Sequence, residues 1–266
     1  MSSLIHLGPV QLAVATLLVV AAGLVSLVLR LGIERRLAVA ALRTVIQLGL
    51  LGLILERVFA IRHPLLIIGI LLLMTVFAAR EASSRTSRRY RGIMVDAWLA
   101  MAVSCFAVGG VVTQVVVGVE PWYEPQYVIP LIGMILGNSL TGIALGLDRF
   151  LDHLSIRHAE IELKLAFGAT RREALAAPVR DAVRTGMVPI INAMAAAGIV
   201  SLPGMMTGQI LAGAPPLQAV SYQIVVMFMI AAAVASGAML VVLLAGRHFM
   251  GADAVLRLDR LRGSWF

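Results

Sequence analysis

Charge is scarce in this sequence, and cysteine almost absent. Only 14% of its 266 residues are Asp, Glu, Lys or Arg, against about 25% in an average globular domain. That deficit excludes a water-facing surface over the whole chain. The lone Cys105 excludes an internal disulfide framework; it sits in an apolar run, where a small buried hydrophobe is the plain reading. No Gly-rich phosphate loop of the Walker type occurs, so the chain has no ATP site of that kind. His-Glu-x-x-His, paired aspartates and a nucleophile beside a base are all missing from the apolar runs, which speaks against an intramembrane enzyme. Met1–Pro9 has no basic stretch, and the first apolar run is too long for a signal sequence, so no cleavable signal peptide is expected.

What is present is hydrophobic length. Leu7–Leu29, Pro64–Ala79, Val128–Leu147 and Thr185–Ala245 carry no charge, and Ile93–Val119 carries only Asp96. A helix of about 20 apolar residues crosses a hydrocarbon core of roughly 30 Å. Only helices or closed barrels satisfy their backbone in lipid, and the short alternating segments of a barrel are not seen. The fold class read from this is all-α: a polytopic transmembrane bundle in the lipid bilayer. Seven spans are expected, near 8–29, 37–56, 64–79, 93–119, 128–147, 185–213 and 219–245. They form one membrane domain over 1–266, with 148–184 and 246–266 as its polar parts.

The net charge of +8 first suggests nucleic acid, but its distribution points to a membrane and no nucleic-acid partner. Segments 30–36, 80–91, 148–184 and 246–266 hold 3, 5, 7 and 4 of the 22 basic residues, while the alternate loops hold only Arg57 and Arg62. Basic loops stay on the cytoplasmic side. The expectation is a multi-pass protein of the inner (plasma) membrane, N-terminus outside and C-terminus inside. Trp122, Tyr123 and Tyr127 then fall in an outer loop at headgroup level. The tail Val255–Arg262, continuing to Trp265 and Phe266, reads as a short interfacial helix.

Asp148–Arg184 is the one long polar stretch. Ile161–Phe167 reads as a short amphipathic helix ending at Gly168, the residue best able to take a left-handed C-cap. Thr170 can then cap a second helix, with Glu173 at the capping-box position, and Pro178 starts or kinks the next segment. Two small helices of this kind display Glu160, Glu162, Lys164, Arg171 and Arg172. They suit a docking element that passes a partner's motion to the spans; a solvated loop with incidental helices fits the pattern as well.

Glu162-Leu-Lys-Leu-Ala-Phe-Gly168-Ala-Thr170 resembles the coupling-helix signature of ABC transporter permeases, an acidic residue six positions before Gly-Ala-Ser/Thr. Pro178 stands closer to the glycine than in the importer form. Val128-Ile-Pro-Leu-Ile-Gly-Met-Ile-Leu-Gly-Asn-Ser-Leu140, Gly198-Ile-Val-Ser-Leu-Pro-Gly-Met-Met-Thr-Gly-Gln-Ile-Leu-Ala-Gly213 and Tyr222-Gln-Ile-Val-Val-Met-Phe-Met229, with Leu42-Arg-Thr-Val-Ile-Gln-Leu48, are similar to the FetB-type permeases. That family comprises membrane subunits of iron-export ABC transporters, with plant relatives linked to aluminium tolerance. The resemblance implies a homodimer and a separate cytoplasmic ATPase subunit. That subunit binds ATP and Mg²⁺, which this chain does not, and it couples through Glu160, Glu162, Lys164, Gly168, Thr170, Arg171 and Arg172.

Polar groups inside the spans are candidates for function because they are costly there. Arg43 and Gln47 share one face of span two; Arg43 either snorkels to headgroups or pairs with Asp96 at the start of span four. Gly133, Gly137, Gly142 and Gly146 in span five permit close helix contact, within the chain or to a second copy. Span six, 29 residues from Thr185 to Gly213, is roughly 43 Å of helix, too long, and Ser201-Leu-Pro203-Gly204 interrupts it. Such a break is tolerated where it lines a cavity. Pro203, Gly204, Met205, Met206 and Gln209, with Met134 and Asn138 of span five, are therefore the candidate translocation path, and changing Gly204 or Met205 is expected to reduce transport. The 13 methionines invite a soft-metal reading but more often fill gaps. The histidines at 6, 63, 153, 158 and 248 form no ligand set in the spans, so metal ligands stay unassigned.

The leading reading is an iron-exporting ABC permease; a permease for a non-metal solute such as a sugar nucleotide, and an ion-coupled secondary transporter, are the alternatives. The last needs acidic groups near the midplane, and Glu56 and Asp96 lie near span ends.

Overall fold

The computed structural model describes residues 8–250 and 255–263. The helices are α1 (Pro9–Val28), α2 (Glu34–Ile61), α3 (Pro64–Ser84), α4 (Ile93–Val111), α5 (Pro125–Ile156), α6 (His158–Ala166), α7 (Arg171–Ala196), α8 (Gly204–Leu211) and α9 (Pro216–Phe249). Proline opens α1, α3, α5 and α9, where its missing amide costs no helical hydrogen bond. Among the described residues six helices are long and apolar enough to cross a membrane: α1, α2, α3, α4 with the π-turn at Val112–Val116, α5 and α9.

Residues 185–213, expected as a further span, are not one helix. α7 carries residues 185–196 and stops at Ala196; Gly198 takes a left-handed φ of +81°, and helix resumes only at Gly204. The turn closes on itself, with Gly198 N–H donating to Ser201 O and Ser201 N–H to Ala196 O. The interruption thus begins before the Ser-Leu-Pro-Gly motif, because Gly198 supplies the reversal. A second difference lies upstream. The helix after Thr170 is not small: it runs 26 residues through Pro178 and Pro189. Its packing on α5 and α9 holds it continuous where proline removes a hydrogen bond.

Two compact units are distinguished. α1 and α2, with 211–213, form one; its apolar surface is almost wholly exposed. The loop between them is fixed by Ser26 Oγ, which donates to Glu34 Oε2 at 2.9 Å. The second unit, residues 64–210 with those from 214 onward, is built around α5, which packs on α3, α4, α7 and α9.

Glycine sets the closest approach in that unit. A Cβ on Gly186 of α7 would lie 2.6 Å from the carbonyl oxygen of Gly142 on α5, and one on Gly146 would lie 3.2 Å from that of Ala182. The pairs 142/186 and 146/182 make α5 and α7 antiparallel. Gly142 also faces Val234 and Gly146 faces Ala238, which makes α5 and α9 parallel. Of the four glycines expected to allow close contact on α5, Gly142 and Gly146 serve this seam, whereas a Cβ on Gly137 would meet nothing within 4 Å.

The segment between α3 and α4 and the C-terminal tail meet in a small antiparallel pair, β1 (Arg88–Arg89) with β2 (Arg262–Gly263). The tail is therefore not the expected interfacial helix. A single 3₁₀ turn at Leu258–Arg260 is its only helical part among the described residues, because its backbone pairs elsewhere: Leu256 bridges Met250, and Arg257 N–H donates to Phe249 O. Trp265 and Phe266 lie outside the described residues.

Candidate functional site

Two places concentrate the residues singled out by sequence, one at each end of α5. At its C-terminal end the chain forms the helix–glycine–helix element as expected. α6 ends on Gly168 with φ +86°; Ala169 N–H donates to Lys164 O and Gly168 N–H to Leu165 O, the paired bonds of a Schellman cap. Thr170 then opens α7. Its Oγ1 accepts from Glu173 N–H at 3.4 Å, while Glu173 Oε2 accepts from Thr170 N–H at 2.7 Å and from its hydroxyl at 2.8 Å. Those bonds, the backbone one first, hold the Glu173 carboxyl below its usual range. Lys164 Nζ donates to Glu160 Oε1 at 2.8 Å, and this bond lowers the Glu160 carboxyl likewise.

Burial divides α6 into two faces. Ile161 is fully buried and Leu165 half-buried, anchoring the helix to the bundle; Glu162 is exposed. Leu163 is 58% and Phe167 84% exposed. Arg172 is exposed and Arg171 half-buried beside them. The sequence reading named the charges of this element and missed its two projecting apolar side chains. Their signal was the spacing of Leu163 and Phe167, one turn apart and off the Ile161 stripe. The element is firmly joined on both sides. Arg157, the residue between α5 and α6, donates its N–H to His153 O, and α7 returns along α5 through the glycine seam.

At the N-terminal end of α5 lies a cavity of about 540 Å³ between α5, α8 and the start of α9. Met134, Met205 and Gln209 line it, together with Tyr127, Gln218 and Tyr222. The structure thus brings together three of the seven residues proposed for the path. Asn138 is exposed on α5 and donates to Met134 O at 2.8 Å. Pro203, Gly204 and Met206 belong to the turn and to α8 but are not among the residues lining the cavity. A Cβ on Gly204 would meet nothing within 4 Å, so an alanine methyl there has open space. Tyr127, read from sequence as an outer-loop residue at headgroup level, joins Gln218 and Tyr222 in this lining, a placement that only the packing of α5 against α8 and α9 reveals.

Asp96, the acidic group of the fourth span, has two partners within its own unit. Asp96 is buried at the start of α4; Tyr90 Oη donates to its Oδ2 at 2.5 Å, and His248 Nε2 lies 3.0 Å from the same oxygen. Burial, then the bond to Asp96, pushes the Tyr90 phenol far above its usual range, so it stays a donor. Arg43 and Gln47 are exposed on α2. Tyr90 and His248 engage Asp96 because the end of α9 packs beside the start of α4. Among the described residues no group of three His, Cys, Asp or Glu side chains converges as a metal site.

The profile of the uncharacterised protein family UPF0014 matches residues 9–250. The chain belongs to this family. Among its relatives, the protein named "Probable iron export permease protein FetB" of Escherichia coli is 30% identical over 255 residues, covering 95% of this chain and 96% of its own. A UPF0014 membrane protein of Synechocystis is 39% identical over 71% of this chain and 73% of its own. "Protein ALUMINUM SENSITIVE 3" of Arabidopsis thaliana is 32% identical over 85% of this chain and 81% of its own. No solved structure matches.

Proposed function

We propose that this chain is the membrane-spanning subunit of an ABC-type exporter, moving iron out of the cell with energy from a separate ATPase subunit. The observation that carries the reading is the rigid element at α6 and α7. It is capped on both sides of Gly168, presents Leu163 and Phe167 to solvent, and continues directly into two helices of the bundle. A partner seated on it moves α5 and α7 as levers. The iron cargo and the outward direction come from the name of the FetB relative.

The same reading extends to the rest of the assembly. Two copies form the membrane unit, and the exposed apolar faces of α1 and α2 are covered by lipid or the second copy. α7 and α8 together make the seventh passage, a reading supported by the antiparallel run of α7 along α5 and by the cavity lying at the far end. The basic loops then face an anionic cytoplasmic leaflet, with the N-terminus outside and the C-terminus inside the inner membrane. Solute leaves through the cavity bordered by Met134, Met205 and Gln209.

Co-expression with the ATPase subunit tests the docking reading. The pair is expected to co-purify, and Phe167→Asp, which charges an exposed side chain without touching the core, is expected to cut recovery of the ATPase at least about tenfold. Undiminished recovery with a folded variant would sink the assignment of α6 as the docking element.

A further inference from the structure

The cavity at the N-terminal end of α5 has a distinctive chemistry. Its volume of about 540 Å³ falls within the roughly 300–1,000 Å³ of small-molecule sites. Its polar lining consists of the amides of Gln126, Gln209 and Gln218 and the phenols of Tyr127 and Tyr222. The remainder is aliphatic, prolyl or thioether, and among the described residues no lining side chain carries a formal charge. Gln209 Oε1 is buried and accepts no hydrogen bond among the described residues. An amide oxygen left so is costly unless something completes it.

These groups fit one class of solute and not another. Stripping water from an ion costs free energy that rises with the square of its charge, about fourfold more for a divalent than a monovalent ion. Sites that bind bare hard cations offset this with carboxylates, and the lining has none among the described residues. Met134 and Met205 are soft donors that match Cu(I)-like ions rather than iron or aluminium. A neutral solute needs no countercharge. It can give and take hydrogen bonds at the amides and phenols and rest its apolar flank on the methionines.

We infer that this cavity accepts an electrically neutral, hydrogen-bonding solute, which for iron means a chelate neutralised by its own ligands, and excludes the bare multivalent ion. The inference rests on the reading above that the cavity lies on the transport route.

The test uses the full chain in lipid nanodiscs, equilibrium dialysis, and metal quantified by mass spectrometry. The probes are Fe²⁺ alone under anaerobic conditions, the neutral tris(maltolato) complex of Fe³⁺, and Ag⁺ as a soft monovalent ion. Wild-type protein is expected to retain the neutral chelate at least about tenfold more tightly than Fe²⁺ or Ag⁺. Gln209→Leu should weaken chelate binding about fivefold or more, the loss of one hydrogen bond. Gln209→Glu, which adds a charge, should move the preference toward Fe²⁺. Tyr222→Phe removes one hydroxyl only and serves if the Gln209 variants elute as unfolded protein. Preferential retention of Fe²⁺ or Ag⁺, lost on Gln209→Leu or Met205→Ala, would overturn the neutral-solute inference and leave the route reading standing. Failure of wild-type protein to retain the chelate overturns the inference as well. Chelate binding indifferent to every cavity substitution would overturn the route reading and the inference together.

Discussion

At the residue scale, a few atoms decide what can be substituted. Gly186 and Gly142 bring the backbones of α7 and α5 into contact, and a methyl group on Gly186 would meet a carbonyl oxygen at 2.6 Å. Backbone cannot swing aside as a side chain can. Gly186→Ala is therefore expected to destabilise the purified protein by about 1–3 kcal/mol, read as a lower thermal unfolding midpoint in detergent. Gly137→Ala, with open space around the added atom, should leave that midpoint in place; an equal loss in both would refute the seam. The carboxyls of Glu160 and Glu173 make a second case. Both are held below the ordinary glutamate value of 4.5. A depressed carboxyl favours the folded arrangement above its ordinary value and loses that favour as pH falls through the depressed one. The cap and the ion pair should thus persist at neutral pH and fail only below about 4.5. Carbon-13 NMR titration of labelled glutamates checks this; a Glu173 midpoint at or above 4.5 would contradict it.

At the scale of elements, much was legible in the chain and some was not. The end of α6 at Gly168 and the start of α7 at Thr170 were readable because capping is local: the residues that satisfy the orphan backbone groups lie within about five positions of them. The onset of the break in α7 was displaced from the Ser-Leu-Pro-Gly motif because Gly198 also allows a reversal, and only packing chooses between them. The length of α7 was unreadable for the same reason, since Pro178 argues locally for a stop. The cavity gives this scale its prediction. Met205 lines it and Gly204 does not. Met205→Ala should lower transport in reconstituted vesicles severalfold, whereas Gly204→Ala should preserve it. Equal loss in the two would show that the turn, and not the cavity wall, matters.

For the whole molecule, the arrangement proposed is a membrane unit with its docking element inside the cell and its cavity toward the outside. The single native Cys105 is wholly buried, which makes the topology straightforward to probe. In a Cys105→Ser background, one new cysteine replacing Tyr123 is expected to react with an impermeant maleimide on intact cells. One replacing Phe167 should react only after the membrane is opened. Labelling of position 167 from outside would invert the orientation and remove the docking reading with it.

That the chain lives in a membrane was written in its residues, since apolar runs of this length have no other solvent. So were the two caps around Gly168–Thr170, because hydropathy and capping are sums over neighbouring residues. The UPF0014 relationship was carried in the motifs as well. Folding in three dimensions was needed to choose which glycines form the α5–α7 seam and to set Tyr90 and His248 against Asp96. It was needed, too, to gather Tyr127, Gln218 and Tyr222 with Met134, Met205 and Gln209 around one cavity. Most of those contacts join residues far apart in the chain. Helices in lipid are chosen for one another by the fit of their surfaces, and that fit appears only when the surfaces meet.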